Sequence, residues 1–171
     1  MSAKRLGDSF FHRDCLEVAP ELVGKVLVTD LGGREVRVRI TETEAYCGEE
    51  DTACHAHKGR TPRTETLYGE SGIAYIYLCY GMHWLLNVVT GEKDQPQGVL
   101  FRAGEGYTGP AKLTKAMGIT GELNKASFVH SHKLWIEDDG KPCRYVTDKR
   151  VGINYASRED IDKQWRFILK P

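Results

Sequence analysis

Two glutamates open the question of chemistry. Glu42 and Glu44 lie in the alternating run Arg34–Tyr46, where they share a face with Val36, Val38, Ile40 and Tyr46, while Arg37, Arg39, Thr41 and Thr43 take the other. A carboxylate on the inward face of a strand is costly unless it is paired or put to use. The bland reading is a pair of strand-end acids meeting arginines or a helix N-terminus. The functional reading is a general base or nucleophile beside a cleft. Side chains two apart on a strand point the same way, about 6.6 Å apart. They therefore do not face each other across a sugar as the carboxylates of ordinary glycosidases do. Any glycosidic-bond chemistry here falls to one carboxylate, and Glu44 adjoins Tyr46 and the loop that follows.

The aromatic residues offer a second function. Tyr75, Tyr77 and Tyr80 crowd into the segment 74–82. Strand tyrosines usually pack in cores or across strands. Tyr80, however, falls with Met82 in the turn signal Tyr80-Gly81-Met82-His83, where an exposed aromatic beside an apolar neighbour makes a wedge suited to a base stack. Lys58, Arg60 and Arg63 form a local basic stretch, which reads either as a solvated loop or as phosphate contacts. The Glu49-Glu50-Asp51 run reads as solvated loop.

Two motifs point elsewhere and are weaker. Cys47, Cys54, His55 and His57 are crowded together without the separated ligand pairs of a structural zinc site, so buried thiols and separately employed histidines are expected, and no metal. Gly104-Glu105-Gly106-Tyr107-Thr108-Gly109 matches GxGxxG literally, after a strand and before a helix. Glu105 would set a carboxylate beside a pyrophosphate, and no acidic residue closes a strand about 20 residues on. A glycine-rich connector is the better reading, and no dinucleotide cofactor is implied.

The elements that must position these groups can be read in outline. Asp14–Val23 predicts a short helix with Asp14 as its cap, Gly24 as its stop and Pro20 kinking it or delaying its start. Strands are expected at Lys25–Thr29 and Arg34–Tyr46, with Leu31-Gly32-Gly33 as the turn between them. A polar loop covers about 47–72. Ile73–Cys79 and Trp84–Thr90 form a hairpin, and Val99–Ala103 follows as another strand. Pro110 starts a helix that ends near Gly118. Further strands are expected at Leu134–Glu137, Val151–Asn154 and Arg166–Leu169. This succession predicts an α+β single domain over 1–171, with a mostly antiparallel curved β-sheet, short flanking helices and a protruding β-hairpin.

Composition limits the classes further. With 171 residues, one substantial core is expected. The 24 basic and 24 acidic side chains cancel, which argues against an all-over positive coat though not against a local basic groove. No apolar run approaches the ~20 residues needed to span a bilayer. The N-terminus lacks an apolar stretch of signal-peptide length, so a cytoplasmic protein without a membrane partner is expected. Five cysteines without a CxxC pair predict reduced thiols. Without a heptad or an obvious apolar patch, a monomer is expected.

Taken together, the sequence resembles the alkyladenine (3-methyladenine) DNA glycosylases. The matching blocks are Glu42-Thr43-Glu44-Ala45-Tyr46, Asp51 to His55, Gly59-Arg60-Thr61-Pro62-Arg63, Tyr77 through Met82 and Asn87. They continue with Val99–Arg102, Gly109-Pro110-Ala111-Lys112-Leu113, Arg150-Val151-Gly152-Ile153 and Trp165-Arg166-Phe167. They lie in order and cover nearly the whole chain. The resemblance implies a monofunctional enzyme acting on double-stranded DNA that contains alkylated or deaminated purines, in base excision repair and on the nucleoid when acting. It implies that Glu44 activates the water, helped by Arg102 and by the carbonyl of Val151. It places Tyr46 on one face of the flipped base and His55 with Tyr77 on the other, with Asn87 against the exocyclic amino group of guanine. Tyr80 and Met82 would fill the gap in the stack, and Arg60, Thr61, Arg63 and Lys112 would contact phosphates.

The physical chemistry agrees with these roles. Reaching the sugar bond requires extrusion, which costs less for a lesion that pairs poorly. A cationic alkylated base gains from a tyrosine face and leaves readily, so one carboxylate suffices. The chain departs from the family pattern at three places: a connector of only six residues between Arg102 and Gly109, Thr64-Glu65-Thr66-Leu67-Tyr68 after Arg63, and His83 beside the wedge. The alternative is a non-catalytic nucleic-acid-binding domain of the same architecture, which would have no use for Glu44 on the inner face.

Overall fold

The computed structural model describes residues 2–171. In chain order the elements are β1 (Lys4–Arg5), α1 (Asp8–Phe11), α2 (Cys15–Leu22), β2 (Val26–Leu31), β3 (Arg34–Tyr46), β4 (Ala74–Cys79) and β5 (His83–Thr90). There follow β6 (Gln97–Gly104), β7 (Tyr107–Thr108), α3 (Pro110–Met117), β8 (Leu134–Asp138), β9 (Tyr145–Asp148), α4 (Arg158–Asp162) and β10 (Arg166–Leu169). The main sheet runs β1-β8-β2-β3-β6-β5-β4. Every strand pairing is antiparallel. The fold is therefore the expected α+β type.

The 13-residue β3 is the strand that everything else uses. Its first half pairs with β2, whose register sets Leu27 opposite Val38. Its second half pairs with β6 on one edge and, at Glu42–Glu44, with β10 on the other. The β3–β6 register slips at Glu42 and is regained at Thr43. Clean alternation ends there, because both faces become covered: Thr43, Glu44 and Ala45 are all fully buried. α2 covers the face of Thr43, whose hydroxyl donates to the Ala19 carbonyl at 2.7 Å. Arg37 and Arg39 face outward, as the alternation predicts, and pair with Glu137 and Asp139.

Local signals account for the helices. Asp14 caps α2 by accepting the Leu16 N–H at 2.8 Å, which satisfies one of the orphan donors of the first turn. The helix runs through Pro20 instead of starting after it. α3 begins with Pro110 and ends at Gly118 in left-handed conformation. Beneath the sheet, Phe101 and Phe11 both pack on Phe128, with centroids 5.8 and 6.0 Å apart. All three are fully buried, and each contributes ~1.5–3 kcal/mol by leaving water.

Three segments differ from expectation. Val151–Asn154 is not a strand; it bends, with Gly152 at φ +75°. The strand lies earlier, at β9, whose residues are all exposed and so carry no apolar pattern to read. The loop 47–72 contains two 3-10 turns, His55–Lys58 and Glu65–Tyr68, and the second buries Thr66, Leu67 and Tyr68.

The glycine motif is a tight hairpin. Ala103 pairs with Thr108 and Gly104 with Tyr107, and Gly106 turns the chain at φ +87°. Gly104 is needed for packing: a Cβ there would collide with the Val38 side chain and come within 2.9 Å of the Leu113 Cδ1. Among the described residues no parallel strand–helix–strand unit is present to bind a dinucleotide. Gly104→Ala is therefore expected to lose about 1–3 kcal/mol of unfolding free energy, by the usual cost of overpacking a core. Urea denaturation measures it, and an unchanged midpoint would contradict this packing role.

Candidate active site

A cavity of about 580 Å³ opens between the β4–β5 hairpin, β6, the chain from Ala53 to Arg63 and the bend Val151–Tyr155. Its volume falls within the ~300–1,000 Å³ of small-molecule sites. The walls are mostly aromatic and apolar, with Arg63, Asn87 and Arg102 as polar points.

Glu44 lies directly behind this wall. Its side chain is 0% exposed, and its three partners, Tyr46, Val151 and Arg102, all line the cavity. The Tyr46 hydroxyl donates to Oε1 at 2.8 Å. The Val151 backbone N–H donates to Oε2 at 2.7 Å. Arg102 Nε stands 3.5 Å from Oε2. Burial pushes the Glu44 carboxyl pKa up, and Arg102, the Val151 N–H, the Tyr46 hydroxyl and Arg166 only partly offset it. The result is a carboxylate that is desolvated yet held in one place. Val151 meets the carboxylate through its N–H, a contact separate from the water-holding role expected of its carbonyl.

Glu42 takes the bland role. Its carboxylate accepts from Arg166 at 2.8 Å, and Arg166 sits opposite Glu44 in the β3–β10 register. Glu42 thus has its arginine at hydrogen-bonding distance, whereas the arginine of Glu44, Arg102, stands 3.5 Å away.

Tyr46 presents one ring face to a buried cation. The Arg150 guanidinium lies 5.0 Å from its centroid and 4.9 Å from that of Trp165 on the other side. Arg150 also binds Asp51 through two contacts of 2.6 and 3.0 Å and the Ala45 carbonyl at 3.0 Å. Asp51 is 2% exposed, so the acidic run at 49–51 is not all solvated loop: its last member is buried against an arginine. Asp51 also accepts from the Cys47 and Ala53 N–H groups.

Across the cavity, His55 and Tyr77 meet edge to face with centroids 4.4 Å apart. His55 Nδ1 is 2.9 Å from the Tyr75 hydroxyl. Burial and the nearby Arg63 and Lys58 hold His55 down to a pKa of about 4, so its ring is neutral at pH 7. His57 is employed separately, on the Glu49 carbonyl. Cys54 lines the cavity as a thiol whose pKa burial pushes up to about 11. Asn87, 6% exposed, donates from Nδ2 to the Tyr75 carbonyl at 3.1 Å and lines the floor.

The hairpin tip projects as expected. Tyr80 is 90% exposed and Met82 69%. Tyr80 holds φ +53°, a left-handed conformation that costs a side chain roughly 1–2 kcal/mol. The four candidate phosphate contacts are not equivalent. Arg60 is already occupied, by Glu65 at 2.7 Å and Asp94 at 3.0 Å. Arg63 lies over the Tyr77 ring at 5.4 Å and so belongs to the cavity wall. Thr61 is tied to Thr64. Lys112 is exposed in the first turn of α3.

Sequence reasoning missed Asp51, the structural use of Arg150, and Tyr155, whose hydroxyl donates to the Ala53 carbonyl while its ring lines the cavity. Asp51 and Arg150 are 99 residues apart, and no local spacing could pair them.

A family model described as methylpurine-DNA glycosylase matches residues 9–108 and again 105–171. The chain belongs to the methylpurine-DNA glycosylase family. It is 40% identical over 190 residues to the "Putative 3-methyladenine DNA glycosylase" of Natranaerobius thermophilus, covering 97% of this chain and 96% of that protein. The protein of the same name from Desulfitobacterium hafniense is 43% identical over 195 residues, covering 98% and 96%. That from Methanocella arvoryzae is 43% identical over 181 residues, covering 94% and 90%. The first two alignments are longer than the 171-residue chain, so those glycosylase-family relatives carry residues that this chain lacks. The two matched stretches meet at 105–108, inside the β6–β7 hairpin.

The raised pKa of Glu44 has a consequence for stability. Protonated Glu44 is favoured in the folded state, so this group's contribution is greatest below its unfolded pKa of about 4.3. It is lost as pH rises through the folded value. Glu44→Gln keeps the shape without the buried charge. At about pH 8 the variant is expected to unfold at least as hard as wild type, with the difference shrinking as pH falls toward about 4. Denaturation at a series of pH values measures this, and a variant that is less stable at high pH would contradict the burial cost assigned to Glu44.

Proposed function

We propose that this chain is a monofunctional DNA glycosylase that extrudes alkylated or deaminated purines from duplex DNA and hydrolyses their N-glycosidic bond. The observation that carries this reading is Glu44. It is a single fully buried carboxylate, fixed by a phenol, a backbone N–H and an arginine, at the wall of an aromatic cavity. In this reading Glu44 accepts a proton from water as the water oxygen bonds to C1′. The C1′–N bond breaks with its electron pair leaving on the base. A cationic alkylated purine departs neutral, so no second carboxylate is required for it, whereas a deaminated purine departs as an anion that a proton from solvent neutralises. Among the described residues no lysine lines the cavity, which supports hydrolysis by water over an amine nucleophile.

Arg102 stands between the carboxylate and the cavity, where it orients the water or the backbone beside C1′. Tyr46 supplies the face for the base, its other face being taken by Arg150. His55 and Tyr77 close the opposite side, and Asn87 crowds the exocyclic amino group of guanine. Tyr80 and Met82 enter the gap left in the stack. The exposed tip, already paid for in backbone strain, suits that use. Lys112, Thr61, Arg63 and Arg60 are the phosphate contacts. The protein acts as a monomer, without a cofactor.

Incubating wild type and Glu44→Gln with a duplex holding one hypoxanthine, and with methylated DNA, tests the chemistry. Wild type is expected to release free base and leave alkali-labile sites, while the variant binds but slows release by at least about 100-fold, within the range of a lost general base. Binding by both proteins with no release by either would move the chain to the non-catalytic alternative.

The phosphate role of Arg60 has its own test. Glu65→Gln combined with Asp94→Asn frees the guanidinium that these acids occupy. Non-specific DNA affinity is then expected to rise, with the plot of log affinity against log salt steeper by about one unit per added phosphate contact. An unchanged slope would remove Arg60 from the DNA interface.

A further inference from the structure

The hydrogen bond between Tyr75 and His55 determines which nitrogen of the cavity histidine carries the proton. Tyr75 is 3% exposed, and its hydroxyl has His55 Nδ1, at 2.9 Å, as its one side-chain or backbone partner within hydrogen-bonding geometry among the described residues. A phenol holds one proton to donate. If Nδ1 carried the ring proton, the Tyr75 proton would be left in a buried site without an acceptor, a costly arrangement. Burial and the charge of Arg63, which lies over the Tyr77 ring, oppose protonation of His55, so the ring is neutral and only one of its nitrogens carries a proton. Nδ1 is then the acceptor, and the proton of the neutral ring sits on Nε2. Among the described residues that nitrogen has no hydrogen-bond partner, and His55 lines the cavity wall.

We propose that Tyr75 is a positioning residue that fixes His55 as the Nε2–H tautomer, so that it presents an uncharged hydrogen-bond donor to the cavity, where a lone pair of the extruded purine can accept it. This rests on reading the cavity as the base pocket. It adds a polar criterion to a slot otherwise selective by stacking: a base is favoured if it offers a ring nitrogen or carbonyl oxygen to Nε2. Alkylation or an amino group at that edge removes the acceptor. An imidazolium would also donate, but it would bring a charge against a cationic base. The buried, arginine-flanked ring avoids that conflict.

The tautomer is read directly by nitrogen-15 NMR of imidazole-labelled protein at neutral pH, with the His55 signals assigned by their loss in His55→Gln. The expected spectrum has an unprotonated Nδ1 and a protonated Nε2. Tyr75→Phe, which keeps the ring stack, is expected to shift His55 toward a mixture of tautomers. A wild-type Nδ1–H tautomer, or a His55 spectrum unchanged in Tyr75→Phe, would overturn the assignment whatever the protein does to DNA. The purine contact is read by binding. Tyr75→Phe is expected to weaken binding to a hypoxanthine duplex by roughly threefold to tenfold, the effect of one neutral hydrogen bond, while leaving binding to a duplex with a base-free tetrahydrofuran site unchanged. Equal losses on both duplexes would assign the donor to the backbone and overturn the base contact. If wild type neither prefers nor processes any lesion duplex, the glycosylase reading fails, and the NMR result still stands or falls by itself.

Discussion

The site depends on one buried ion pair. Asp51 and Arg150 exclude water almost completely, with side chains 1% and 0% exposed. Breaking such a pair from one side leaves an unpaired buried charge and costs on the order of 3–5 kcal/mol. What it secures is geometry. Arg150 holds the carbonyl of Ala45, the residue between Glu44 and Tyr46, and lies against the Tyr46 ring. The next residue in the chain, Val151, delivers its N–H to Glu44. From the other partner, Asp51 gathers the N–H groups of Cys47 and Ala53 and so fixes both ends of the short path from Tyr46 to His55. Glu44, Tyr46 and the opposite cavity wall are thereby set relative to one another by two side chains that do not line the cavity. A further pair of contacts, from the Thr52 N–H to the Asp160 carboxylate and from Arg150 to the Asp160 carbonyl, ties α4 into the same arrangement.

The same construction sets the proton affinity of Glu44, the base of the proposed reaction. Covering Glu44 raises its proton affinity, and the donors around it limit the rise. Either extreme would be unproductive: full solvation leaves a weak base, and burial without donors leaves a neutral acid. Glu42, two residues away on the same strand, is neutralised by Arg166 instead. The two acids therefore have similar backbone positions and opposite uses, decided by what the C-terminal strand brings to each.

Much of this was legible in the chain. The alternation of β3 exposed Glu44 as an anomaly, Pro110 and Gly118 marked α3, and the Tyr80-Gly81 turn signal found the hairpin tip. What the sequence concealed is long-range or polar. Asp51 sits in an acidic run that looks solvated, and only a partner 99 residues on makes its burial tolerable. β9 is only four residues long and all of them are exposed, so it shows no alternation of buried and exposed positions to read. Arg60 stands in a basic stretch that suggests DNA contact, yet Glu65 and Asp94 occupy it. Arg63, from the same stretch, turns inward over Tyr77. What residue type alone does not show is the partner, which lies 99 residues away for Asp51 and at Glu65 and Asp94 for Arg60.

The most direct test of the account is the pH dependence of single-turnover release of 7-methylguanine from duplex DNA. That base carries its own positive charge and leaves without a proton, so the general base alone shapes the acid limb. Glu44 works only when deprotonated. The rate is therefore expected to fall as pH drops through its pKa, with a midpoint displaced above the ordinary glutamate value of about 4.3, and the limb is expected to vanish in Glu44→Gln. A midpoint at the ordinary value, or a limb that survives in the variant, would contradict Glu44 as a buried base of raised pKa.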